Sequence, residues 1–479
     1  MSTRAANVGN MRKRFLQLHS SNQSSGGVFS FKNGLPLIRF DIASSNAPLL
    51  LDGSALRISG RFTARQGAAG TTELTAGDTN FLDGFTGFNQ CIETVTISSK
   101  RLNSVLERVT NYSRLVPSIT SGRMSSKEYE TKLSHYANQH GTTPLTRPTL
   151  NTYAAYNTNG EVAAANMKGC DFSTPLYCGI LNSGEDIDLS SQTGSGGMVI
   201  EILLRSDAGV IFGTSANTNS ATYNISDLVL TVPVYEMTGA PNMPPGGVSQ
   251  FNFNSWSSMF QTINSSSGVV AMTPGLSRVA ACLSSFITAG DLGNQLFNSS
   301  RLGAVGEIQQ LRYSRNGALY PLQYRLQTVS QNNNNTAKSV ASNLFSNHVY
   351  SVNADIVRNY LEGVLTDRYN KVKNCMLAYN NWSGGAVDRS QNAGRDGITP
   401  GTADGIAILY DAYGSGTNFQ QTVFSFELQT SATNQLRINA ATNVANSIDG
   451  SSATAQATTL YFLNKNTLML SPMGIEVQR

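Results

Sequence analysis

The chain has 479 residues, with 34 Lys and Arg against 30 Asp and Glu, a formal net charge of +4 and only 13% charged residues. So small a charge excludes a nucleic-acid-binding surface spread over the whole body of the protein, and 40% hydrophobic residues exclude global disorder. The five cysteines, Cys91, Cys170, Cys178, Cys282 and Cys375, form no CxxC pair. That argues against a disulfide scaffold or a zinc ribbon, and they are read as reduced, packed thiols. No apolar run of membrane-spanning length occurs, and no apolar segment of signal-peptide length follows the N-terminal basic residues.

Residues 1–27 are polar and basic, with Arg4, Arg12, Lys13 and Arg14 ahead of a Ser/Gly-rich end. They predict a mobile arm that orders against a partner. Val28–Phe40 predicts a strand turned at Asn33-Gly34. Pro48–Phe62 predicts two short strands around Asp52-Gly53, and the alternation of Ile92, Val95 and Ile97 predicts another over Cys91–Ser98. Leu102, Val105, Leu106, Val109, Tyr112 and Val116 share a helical face, with Ser104 and Glu107 at capping-box spacing and Pro117 closing the segment. A second helix is expected from Ser125, and an Asn/Thr-rich insertion fills residues 140–165.

Met198–Arg205 and Leu228–Tyr235 predict buried strands. Residues 238–250 carry three prolines and read as a linker. Phe251–Phe260 and Met272–Ile287 give no clear assignment. Ile308–Tyr313 and Tyr320–Val329 predict strands around an Asn316-Gly317 turn, and a helix is expected from Asp355. A Gly/Asp-rich loop spans residues 383–405, followed by strands over Val423–Ser431 and Leu460–Val477. The last two echo the strands around Glu201: Glu427 falls about one domain after Glu201, and Pro472 about one domain after Pro233. That pattern predicts one β module built twice.

Motifs for chemistry are sparse. No Walker A, HExxH or GxSxG pattern occurs. His135 and His140 lack metal-ligand spacing with a Cys or carboxylate and read as helix-end surface residues. Glu185, Asp186 and Asp188 read as a solvated turn rather than a glycosidase pair. Asp388–Gly394 reads as an Asx-rich loop rather than a calcium loop, since no bidentate Glu follows at a suitable distance. Trp256 and Trp382 read as packing anchors, with a stacking platform for sugar or single-stranded nucleic acid as the alternative. Neither catalysis nor a cofactor is expected. A carbohydrate-binding or carbohydrate-active β-sandwich, using the loops at 140–165 and 383–405, is the alternative from a different functional class.

Gly87–Leu115, the strand pair IEILLRSDAGVIFG and YNISDLVLTVPVYE, and Gly306–Thr328 resemble the double jelly-roll major capsid proteins of the adenovirus and tectivirus lineage, above all those of polinton-like viruses and virophages. The resemblance implies an all-β chain with a few helices, folded as two tandem eight-stranded jelly rolls. It implies an N-terminal arm over 1–27, a first roll over 28–240, a linker over 241–250 and a second roll over 251–479. It also implies a structural major capsid protein of the virion, assembled inside the host cell. Such a protein forms a homotrimer, tiles with neighbouring capsomers into an icosahedral shell around a DNA genome, and meets minor capsid (penton and cement) proteins. Arg4, Arg12, Lys13 and Arg14 would then make inner-face contacts with those proteins, DNA or a membrane.

Overall fold

The computed structural model describes residues 11–23, 27–32, 34–43, 49–52, 55–65, 80–81, 87–120, 169–189, 192, 196–213, 222–237, 247–263, 267–288, 308–319, 325–327, 406–409, 418–421, 423–430, 435–438, 445–449 and 456–478. The expected helices from Ser125 and Asp355 and the loop at 383–405 lie outside these residues.

Among the described residues, twelve strands occupy the first half. They are β1 (Met11–His19), β2 (Leu37–Ala43), β3 (Leu49–Asp52), β4 (Arg57–Arg65), β5 (Asn80–Phe81), β6 (Ile92–Ser99), β7 (Val105–Thr110), β8 (Gly169–Pro175), β9 (Asp186–Asp188), β10 (Gly197–Leu204), β11 (Phe212–Gly213) and β12 (Thr222–Met237). One sheet is built around β12, which pairs with β1 along one edge and with β4 and β3 along the other, while β8 extends β4. The opposing sheet runs β2-β10-β6-β7, antiparallel throughout.

Period-two alternation makes these sheets. In β2, Ile38, Phe40 and Ile42 are buried, and Arg39 and Asp41 point the other way and pair at 3.1 Å. In β10, Met198, Ile200, Ile202 and Leu204 are buried, while Glu201 reaches Arg39 at 3.5 Å. The facing sheet supplies Ile58, Phe62, Tyr223, Ile225, Leu230 and Val232 to the same core. A bulge between Ser226 and Val229, with Asp227 at φ 53°, shifts the phase of β12 from odd to even buried positions. Phe62 stacks on Tyr223 at 5.7 Å, and each such buried side chain contributes about 1.5–3 kcal/mol.

The second half repeats the plan. Its strands are β13 (Ser249–Ile263), β14 (Ser267–Met272), β15 (Val279–Thr288), β16 (Ile308–Arg315), β17 (Ala318–Leu319), β18 (Arg325–Gln327), β19 (Ile406–Leu409), β20 (Phe424–Thr430), β21 (Gln435–Ile438), β22 (Ala445–Asp449), β23 (Gln456–Ser471) and β24 (Gly474–Gln478). One sheet runs β13-β23-β15-β19, with β24 added to β23, and the other runs β14-β20-β16-β17, with β18 also on β16. The orders β1-β12-β4-β8 and β2-β10-β6-β7 therefore recur as β13-β23-β15-β19 and β14-β20-β16-β17. Each half is an eight-stranded jelly roll, and among the described residues every ladder stays within its own half. Glu201 lies in β10 and Glu427 in β20, the same strand of each roll. The proline echo does not hold: Pro233 sits inside β12 opposite Phe15, whereas Pro472 follows β23 in the turn to β24.

Three expectations are corrected. Residues 11–19 are strand β1 of the first sheet, because Leu16 and Leu18 alternate onto the core, so the first roll begins well before residue 28. Residues 105–110 are strand β7, and helix begins only at Tyr112, as α1 (Tyr112–Thr120) with Pro117 inside it. Asp186–Asp188 is strand β9 paired to β3, where a solvated turn was expected. Of the expected linker at 241–250, residues 241–246 lie outside the described residues, and Ser249 and Gln250 already belong to β13.

Candidate assembly interface

Among the described residues no group of three or more His, Cys, Asp or Glu side chains could hold a metal ion. Cys91 and Cys178 are free and buried, and burial pushes both thiols well above their ordinary value, the opposite of an activated nucleophile. Trp256 lies in β13, half-buried against the core, as a packing anchor would. Trp382, Asp388, His135, His140, His348 and Cys375 lie outside the described residues.

The polar chemistry gathers where the rolls meet. The β7 edge of the first roll lies along the β13 edge of the second, without a shared ladder. Three groups of contacts run along this seam. At one end the turn after β6 meets the β23–β24 turn: Arg101 donates to the Pro472 carbonyl at 2.7 Å, and the Ile475 N–H reaches Ser99 Oγ at 3.5 Å. Gly474, at φ 147°, packs on Leu102 so closely that a Cβ would lie 2.6 Å from Leu102 Cγ. At the other end Thr110 and Ser258 share a hydroxyl contact, Asn111 Nδ2 donates to Ser258 Oγ at 3.3 Å, and Tyr461 donates to the Asn111 carbonyl at 2.9 Å. Arg114 of α1 reaches Thr459 Oγ1 at 3.3 Å. Apolar packing is continuous across the seam, since Phe253, Tyr461, Leu468, Leu470 and Ile475 join the first roll's core.

In the middle sits Glu107, only 3% exposed. Its carboxylate accepts the N–H groups of Gly179 at 2.8 Å and Ile180 at 2.9 Å. Burial raises its pKa to about 7, against the opposing effect of those two hydrogen bonds. A polar cavity of roughly 300 Å³ adjoins it, lined by Arg108, Ser255, Arg278, Asn464 and Asn466 among others.

The expected site residues divide. Arg4 lies outside the described residues. Arg12, Lys13 and Arg14 stand exposed on β1. Lys13 Nζ lies 5.4 Å from the Phe15 ring centroid and 5.6 Å from that of Tyr235. The seam residues escaped the sequence reading. Glu107 and Gly179 are 72 residues apart, and Arg114 and Thr459 are 345 apart, so only the assembled fold joins them.

No protein-family model and no curated protein matches the sequence. Solved structures do match in fold. VP54 of PBCV-1, fitted into a cryo-electron-microscopy reconstruction of the virophage Sputnik, aligns over 98% of this chain and 97% of its own, at 13% identity and a TM-score of 0.50. The Faustovirus major capsid protein aligns over 96% and 91%, at 8% identity and a TM-score of 0.50. The chain has the double jelly-roll fold of these proteins, and the fold expected from the sequence is borne out.

Proposed function

We propose that this chain is a structural major capsid protein of a DNA virus, resident in the virion and assembled inside the host cell. Its working unit is a homotrimer of six rolls, which tiles with neighbouring capsomers and minor capsid proteins into an icosahedral shell. The observation that carries this reading is the strand-for-strand repetition of one eight-stranded roll in a single chain that corresponds over nearly its full length to the Faustovirus major capsid protein. Two rolls welded by a continuous core make a rigid brick. A surface with few charged residues suits wide, hydrogen-bonded contacts between such bricks. Arg4 and the residues ahead of β1 are assigned to the inner face, toward minor proteins, DNA or a membrane.

Size-exclusion chromatography with light scattering tests this. A mass of three chains at micromolar concentration is expected, and a stable monomer at that concentration would overturn the reading.

A further inference from the structure

The polar cavity in the seam beside Glu107 measures roughly 300 Å³, at the lower end of small-molecule sites. Both rolls wall it. Arg108 comes from β7 of the first roll, Ser255 and Ser257 from β13, Arg278 from the turn into β15, and Asn464 and Asn466 from β23. The wall is rich in donors. Asn466 Nδ2 donates to Ser255 Oγ at 2.5 Å and Asn464 Nδ2 donates to Ser257 Oγ at 2.9 Å, so each serine keeps its own O–H to give. Arg278 is steadied twice: its Nη1 donates to Thr467 Oγ1 at 3.2 Å, and its carbonyl accepts the Lys465 N–H at 3.0 Å. Among the described residues Arg108 makes no hydrogen bond or ion pair. The acceptors are committed or shut away. The two carboxylate oxygens of Glu107 accept the Gly179 and Ile180 N–H groups, and Asn464 Oδ1, though without a partner, is closed to solvent. Two guanidiniums, two donating hydroxyls and one carboxyl turned toward other partners suit an anion and not a cation.

We propose that this cavity binds a tetrahedral oxyanion, a sulfate or phosphate group, held by Arg108 of the first roll and Arg278 of the second, with the Ser255 and Ser257 hydroxyls completing its shell. The site goes beyond the capsid-subunit reading and does not rest on it, because all of its groups come from one chain. The bound oxyanion ties the two rolls together across the seam. Glu107 gives the site a pH dependence. Its carboxyl takes up a proton below about 7, because burial disfavours the charge. The other charged or titratable groups around it are the two arginines, which stay charged throughout, and Tyr112 and Cys178, which burial holds well above their ordinary values. Of these groups only Glu107 changes charge between pH 6 and pH 8, so the oxyanion is held more tightly at the lower pH.

Isothermal titration calorimetry of the full chain tests this, with inorganic sulfate and inorganic phosphate in separate titrations and sodium chloride at equal ionic strength as the control. Saturable binding of one oxyanion per chain is expected, without such binding of chloride, and the tighter of the two oxyanions identifies the group. Arg108→Gln removes no bond from the fold itself and should weaken binding by about tenfold, as for one lost charge-assisted contact. Arg278→Gln should weaken it at least as much. Arg12→Gln, on the exposed face of β1, should leave the affinity unchanged. Sulfate, whose own charge is fixed over this range, should bind severalfold more tightly at pH 6 than at pH 8, and Glu107→Gln should level that difference. Absence of saturable binding, equal binding of chloride, or equal losses in Arg12→Gln and Arg108→Gln would overturn the proposal. If Glu107→Gln does not fold, the pH comparison in the unsubstituted chain still decides, since equal or weaker binding at pH 6 contradicts the site.

Discussion

Gly179 lies against the main-chain carbonyl of Asn254, so close that a Cβ on Gly179 would sit 1.8 Å from that oxygen. Gly179 belongs to the first roll and Asn254 to β13 of the second, so the absence of a side chain sets how near the rolls come. The carbonyl is main chain of a paired strand and cannot swing aside. Gly179→Ala should therefore push the rolls apart and destabilise the chain by about 1–3 kcal/mol, in the range of an overpacked core. Denaturant unfolding checks this, and an unchanged midpoint would show that the seam tolerates the methyl group.

The carboxylate that holds Gly179 in place makes the seam sensitive to pH. In the unfolded chain Glu107 ionises near 4.5, whereas burial holds its proton up to about 7 in the fold. Between these values the folded state binds more protons. This group's effect on stability therefore falls as pH rises from 4.5 to 7, by about 3 kcal/mol in all, and is level on either side. Glu107→Gln should remove that slope, even though its amide cannot accept both N–H groups and lowers stability at every pH. Unfolding free energies at pH 5 and pH 8 decide the matter, since an equal fall in both proteins would assign the slope to other groups.

Tyr461 is fully buried and spans the seam to the Asn111 carbonyl. That carbonyl also accepts the Arg114 and Leu115 N–H groups at 3.2 Å, so it keeps partners when the hydroxyl is lost. Tyr461→Phe should thus cost only about 1 kcal/mol. A loss of several kcal/mol in thermal or denaturant unfolding would mean that the hydroxyl holds more than this one contact.

Much of the fold was legible because the strands bury one face. Ile38, Phe40 and Ile42, or Ile200 and Ile202, announce themselves by alternation. Asn316-Gly317 is legible for another reason: two successive positive φ angles, 48° and 82°, need those residues in a tight hairpin. The failures have causes of the same kind. Over 102–116, the buried residues of a strand and those of the following helix, Leu106, Val109, Tyr112, Leu115 and Val116, fall by coincidence at helical spacing. The turn at Asn111, with φ 51°, separates them. Glu107 sat at a capping position in that reading, yet the fold buries it under a turn 72 residues away. In β1 the basic run Arg12–Arg14 masked the alternation of Leu16 and Leu18, which alone marks a strand. The seam is invisible in sequence because its partners lie far apart along the chain, most of them in different rolls, and many of its residues are ordinary Ser, Thr, Asn and Tyr.

One chain is proposed to supply two like rolls to a closed ring. Negative-stain electron microscopy of the purified protein tests it most directly. Class averages of pseudo-hexagonal particles, with six similar lobes from three chains, are predicted. Two-lobed particles of a single chain, with no larger ring at micromolar concentration, would contradict it.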